Sequence, residues 1–143
     1  MDDLDTQMIN LLSANARMPV ANIAKKLGVA RSTVQARLER LEVTGVIAGY
    51  TLRLGGTATA TRIQATALIQ VEPRATPQVL SRLKTMPEVT RVHTTTGRYD
   101  LIVLLTTPTT ELLDRVLDTI GAIPGIRSSE SLIHLSTRID RGV

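Results

Sequence analysis

The sequence predicts an α+β protein: an N-terminal helix-turn-helix domain, winged-helix-like, followed by a βαββαβ ferredoxin-like domain with an antiparallel sheet. Three observations carry this. Residues 19–50 read as a helix, a glycine turn, a second helix rich in arginine, a glycine stop and a short extended segment. Residues 55–61, GGTATAT, hold neither charge nor an apolar period and read as a linker. Beyond them, helical and strand-like patterns alternate in the order strand, helix, strand, strand, helix, strand. The expected boundaries are 1–54 for the helix-turn-helix domain, 55–62 for the linker and 63–143 for the second domain.

Each element has its own signal. Leu4, Met8, Leu11 and Leu12 share one helical face, and Asp2, Asp3 and Asp5 stand where a helix dipole favours anions. Pro19 is expected as the N1 residue of a second helix whose inner face is Val20, Ile23, Ala24 and Leu27, with Gly28 as its stop. A third helix is expected from Ser32 to Thr44, with Val34, Leu38 and Leu41 inside and Gly45 as its C′ residue. Val46, Ile47 and Tyr50 through Leu54 then read as a short strand.

In the second half, Ile63–Val71 reads as a strand, and Thr76-Pro77 as a cap and an N1 proline opening a helix. Val89–Thr96 reads as the next strand and Gly97–Asp100 as a turn. Leu101–Leu105 is an apolar run suited to a buried central strand. Pro108-Thr109 opens another helix, Pro124-Gly125 breaks it, and Ile126–Thr137 is the expected last strand. Two helices on one face leave a face of Leu, Ile and Val open, which predicts pairing with a second copy of the chain.

Composition narrows the function. There is no cysteine, which excludes disulfides, thiolate metal sites and cysteine nucleophiles. Tyr50 and Tyr99 are the sole aromatic residues, so stacking on single-stranded bases is poorly served. No apolar run approaches the roughly 18 residues of a membrane span, and the acidic start lacks a signal-peptide pattern. A cytoplasmic chain without a membrane partner, cofactor or metal is expected. His93 and His134, placed on opposite edge strands, are too far apart to share a metal. No nucleophile-base spacing or paired-carboxylate cluster stands out, so no catalytic residue is expected.

The net charge is +4, and it is concentrated. Between Arg17 and Arg40 there are six basic residues against one acid, Glu39, which suits a phosphate-facing surface. Turning about 100° per residue from Val34, Ser32, Ala36, Glu39, Arg40 and Val43 point outward, with Thr33 and Gln35 flanking them. A DNA-reading helix presents its N-terminal residues to base edges, so Ser32, Thr33, Gln35 and Ala36 are the candidate readers. Arg31 and Arg40 are candidates for phosphates, as is Lys25 beside Lys26. Arg37, about 60° from the core stripe, suits either a phosphate or an ion pair within the domain. Ala30 stands where a Ser or Thr N-cap is expected.

These residues resemble one family. Leu4-Asp5, Arg17, Val34-x-x-Arg37-Leu38, Leu41-Glu42, Gly45-Val46-Ile47 and Gly49-Tyr50 are similar to the N-terminal domain of the leucine-responsive and asparagine-synthase regulators, the Lrp/AsnC or feast-or-famine family. Pro87-Glu88-Val89, Gly97-x-Tyr99-Asp100 and Pro124-Gly125-Ile126 resemble its ligand-responsive domain. The resemblance implies a transcriptional regulator that binds double-stranded DNA and forms dimers through its sheet. The dimers would assemble further, as far as an octamer. It also implies a small-molecule effector, typically an amino acid, at the loop Gly97, Arg98, Tyr99 and Asp100. Arg98 departs from the acidic residue or Asn usual after that glycine. The polar start of the last strand, including Ser129 and Ser131, could supply further effector contacts. Two rival functions stay open from the residues themselves: a small-molecule-binding βαββαβ protein whose helices serve assembly, and an architectural DNA-binding protein without effector control.

Overall fold

A computed structural model describes residues 1–141. The last two positions of the expected second domain, 142–143, lie outside the described residues. By its internal contacts the chain divides into two compact units, one built on Met1–Arg53 and one on Leu54–Asp140.

The first unit is three helices: α1 (Asp3–Ala14), α2 (Val20–Leu27) and α3 (Arg31–Val43). Asp2 caps α1 by accepting from the Asp5 N–H at 3.0 Å, and the Asp5 side chain returns the bond to the Asp2 N–H. Met8, Ile23, Ala24 and Val34 are buried at the junction of the helices, with Leu4, Leu11, Leu12, Leu27 and Leu38 around them. Between α2 and α3 the chain reverses at Gly28, whose φ of 68° is the left-handed conformation that glycine adopts without a Cβ penalty.

Local expectations are corrected at several places. Pro19 is the N-cap of α2, not its first residue, because its ψ of 146° is extended. In the second unit the helix-opening positions shift likewise: Ala75 is the N-cap and Thr76-Pro77 are the first helical residues. No strand forms over 46–54. That segment finds no partner among the described residues, and a strand without one leaves its backbone groups unpaired. The first unit therefore has no wing. Gly56–Thr59, inside the expected linker, closes one helical turn, α4.

The second unit holds β1 (Ile63–Val71), α5 (Thr76–Lys84), β2 (Val89–Thr94), β3 (Leu101–Thr107), α6 (Thr110–Gly121) and β4 (Ile126–Ile133). The sheet is antiparallel in the order β2-β3-β1-β4. The last strand ends at Ile133, four residues short of the expected Thr137. Ala65, Ala67, Ile69 and Val71 of β1 and Leu101, Val103 and Leu105 of β3 alternate inward and bury against Val79, Leu83, Leu113, Val116 and Ile120 of the two helices. A register shift between Val89 and Arg91 lets Val89 and Val92 both face this core. The opposite face carries Thr66, Leu68, Ile102 and Leu104, half-buried, and Leu132, exposed.

Gly125 ends the turn into β4 at φ 101°, and a Cβ there would come within 2.3 Å of the Ala75 Cβ. Only glycine lets the two segments meet at this distance.

Candidate functional site

The first site is the outer surface of α3. Arg31, Ser32, Gln35 and Ala36 are exposed and Thr33 is half-buried, so the N-terminal turns of the helix are open to a partner. Lys25 and Lys26 lie exposed in the last turn of α2. Ala30 is the N-cap and supplies no side-chain bond. The first amides of α3 are thereby left for solvent or an anionic ligand.

The arginines divide into two groups. Arg31 has no carboxylate partner among the described residues. Arg37 and Arg40, on one flank of α3, are held by the start of α1. Arg37 pairs with Asp2 and, at 3.4 Å, with Asp5; Arg40 Nη2 donates to Asp5 Oδ2 at 2.8 Å. The Asp5 side chain is 1% exposed, against 28% for Arg37 and 56% for Arg40. Hydrogen bonding from Arg37, assisted by the Asp5 N–H, lowers the Asp2 carboxyl to about 2. Arg37 thus takes the intradomain pair that the sequence left open. Arg40, expected outward at a phosphate, is instead turned onto Asp5. The spacing Asp2-x-x-Asp5 is that of a capping box, which accounts for two carboxylates at the start of α1 but not for their arginine partners. Farther along, Tyr50 donates to Glu42 at 2.7 Å; partial burial, followed by that bond, pushes its hydroxyl up to about 12.

The second site is the turn Gly97–Asp100 with the sheet beside it. Gly97 holds a φ of 97°. Asp100 is tied to the edge of β1: its N–H donates to the Ile69 carbonyl at 2.8 Å and its carboxylate accepts from the Val71 N–H at 2.8 Å. Thr95 closes the turn from the other side, donating to the Tyr99 and Asp100 carbonyls. Asp100 therefore frames the turn.

Further polar groups stand next to it. Gln70 donates to the Arg98 carbonyl at 2.8 Å and accepts from the Ser128 hydroxyl. Tyr99 donates to Glu130, and that bond raises its pKa above the usual tyrosine value. The Arg98 guanidinium lies over the Tyr99 ring, 5.7 Å from its centroid. Gln70, Ser128 and Glu130 sit on the open face of the sheet. Ser129 and Ser131 do not join them: they pair with Ile69 and Ala67 on the helix-covered face. The two serines named from the sequence thus lie on the face away from the turn's polar groups, since a polar run of serines gives no period by which to assign faces.

Among the described residues no group of His, Cys, Asp or Glu could hold a metal. His93 is on edge strand β2, and His134 follows β4 at the other edge, where its imidazole Nε2 meets the Thr66 hydroxyl at 2.7 Å. Among the described residues no helix is long and apolar enough to cross a membrane.

A helix-turn-helix unit followed by a split βαβ sheet with a polar turn defines a DNA-binding regulator carrying a separate sensing domain. Residues 1–42 match the AsnC-type helix-turn-helix domain, and residues 64–143 match the Lrp/AsnC ligand binding domain. The chain is 35% identical to the HTH-type transcriptional regulator FL11 of Pyrococcus furiosus, over 94% of this chain and 89% of that one. The structure of E. coli AsnC superimposes with a TM-score of 0.88 at 29% identity, covering 100% of this chain and 97% of the other. A transcriptional regulator from Neisseria meningitidis, solved as an L-Met complex, shares the fold with a TM-score of 0.87 at 20% identity, over 98% and 94% of the two chains. The chain belongs to the Lrp/AsnC family of transcriptional regulators.

Proposed function

We propose that this regulator binds duplex DNA as a homodimer in the cytoplasm, and that an amino acid bound at the Gly97–Asp100 turn alters that binding. The observation that carries the effector site is the polar cluster beside the turn. Arg98, Tyr99, Gln70, Ser128 and Glu130 put donors, acceptors and both signs of charge on one patch. A zwitterion needs a cationic partner for its carboxylate and an anionic partner for its ammonium. Arg98 and the turn amides offer the first, and Glu130 the second. The L-Met complex of the fold relative supports an amino acid as the ligand class.

Ser32, Thr33, Gln35 and Ala36 read base edges in this proposal, while Arg31 and Lys25 meet phosphates. Arg37 and Arg40 set the flank of α3 from within. The apolar open face of the sheet is the dimer surface, and contacts between dimers near the turn build larger assemblies such as an octamer. Salt-dependent binding to specific duplex DNA sets this reading apart from the small-molecule-binding rival, and a ligand-dependent change in that binding sets it apart from the architectural one.

A thermal-shift screen over the twenty amino acids identifies the effector. A ligand at about 100 times its dissociation constant stabilises by roughly 2.7 kcal/mol. Calorimetry with the best ligand then tests the site. Glu130→Gln is expected to weaken it about tenfold or more, with DNA affinity in the absence of ligand unchanged. Asp100→Ala is expected to lower the melting temperature, in keeping with its backbone bonds. Wild-type ligand affinity in both variants moves the effector away from the turn.

A further inference from the structure

At the other end of the sheet, the start of β1 and the segment after β4 enclose a cleft of about 320 Å³. Gly56, Ala60, Arg62, Gln64, His134, Leu135, Ser136 and Thr137 line it. It is separate from the turn: the His134 N–H donates to the Gln64 carbonyl, whereas the turn is fastened at Ile69 and Val71. Gln64 and Ile69 are five residues apart on β1, about 17 Å at roughly 3.3 Å per residue.

The lining is one-sided in its chemistry. Arg62 supplies a guanidinium, Gln64 an amide, His134 an imidazole, and Ser136 and Thr137 hydroxyls; among the described residues no carboxylate lines the cleft. Arg62 has no ion-pair partner among the described residues. The Thr66 hydroxyl engages the His134 imidazole at Nε2, which fixes the ring and leaves Nδ1 as its second polar atom. The volume lies at the small end of the usual range for metabolite pockets.

We propose that this cleft is a second ligand site, for a small metabolite presenting an oxyanion, either a carboxylate or a phosphoryl group. Arg62 carries the charge recognition, in the two-pronged geometry that suits such groups. Ser136, Thr137 and the imidazole complete the donor set. A free amino acid is a poor occupant, because its ammonium meets no carboxylate here. The cleft therefore takes a different ligand class from the turn.

Calorimetric titration of the full chain with inorganic phosphate, and separately with succinate, tests this. Saturable binding of at least one probe is expected, weakened about tenfold or more by Arg62→Gln, recovered only in part by Arg62→Lys, which keeps the charge and loses the two-pronged geometry, and unchanged by Arg98→Ala. Binding of phosphate alone assigns the site to phosphoryl groups, and of succinate alone to carboxylates. Arg62 is exposed, so its variants keep the wild-type melting temperature, which is measured alongside. Three results overturn the proposal: binding of neither probe at millimolar concentration, equal binding by Arg62→Gln, or loss of binding in Arg31→Ala instead, which places the anion on α3.

Discussion

Asp5 is buried in a domain whose function requires free positive charge, and it holds two of the arginines on α3. Replacing it by Asn leaves Arg40 without a carboxylate and Arg37 with Asp2 alone. Asp5→Asn is expected to cost about 2–3 kcal/mol of the first unit's stability in urea unfolding at neutral pH; a loss below about 0.5 kcal/mol would mean that the arginines find other partners. Asp2 makes the same brace pH-dependent. Its folded pKa, about 2, is depressed from the ordinary 3.8. Its contribution is therefore fully present above the ordinary value and lost as the pH falls towards the folded one. Unfolding midpoints taken from pH 5 to pH 2 are expected to fall less steeply in Asp2→Asn than in the wild type. The basic residues of α3 were legible in the sequence as charge. Their partners were not, because Asp5 and Arg40 are brought together by the crossing of two helices, which no local pattern encodes.

At the level of the element, α3 has one open end and one braced flank. Arg31→Ala is expected to weaken DNA binding for all sequences alike and to reduce the salt slope by about one. Gln35→Ala is expected to change the preferred sequence. Binding titrations on a set of operator variants at two salt concentrations separate the two, and identical effects across all sequences would remove Gln35 as a reader. The order of helices and strands was legible from periodicity and from Gly and Pro punctuation. The expected strand over 46–54 failed because Val46, Tyr50, Leu52 and Leu54 are apolar enough for a strand but find no strand to pair with among the described residues. The turn into β4 shows the opposite case. Gly125 was read as a breaker, and the close approach of Ala75 makes it a packing requirement as well. Gly125→Ala is expected to cost about 2 kcal/mol or more, from the positive φ and the overlap together, measured by thermal unfolding.

For the whole molecule, the proposed homodimer has the open face of the sheet as its contact. Leu68, Ile102, Leu104 and Leu132 lie across β1, β3 and β4, with Arg91 and His93 at one edge and Glu130 at the other. A charge placed centrally should separate the copies without entering the helix-covered core. Leu104→Lys is expected to convert the dimer to a monomer by sedimentation velocity and to lower DNA affinity, since each half-site is then bound independently. A wild-type sedimentation coefficient in this variant would place the dimer contact elsewhere. That a face would be left over followed from the element order alone; which polar residues border it needed the register.

The strand order also sets a timetable. β1 lies between β3 and β4, and β4 begins about 55 residues after β1 ends. At roughly 5–20 residues per second a ribosome needs about 3–11 s to cover that interval. Throughout it, one side of β1 has no neighbour, and a nascent chain stalled before Ile126 exposes an edge that another chain can join. The three helices are built from contacts close in sequence and can form before that. Ribosome-bound intermediates of this regulator are therefore most prone to aggregate late in synthesis, after the N-terminal unit has emerged and before the final strand is made.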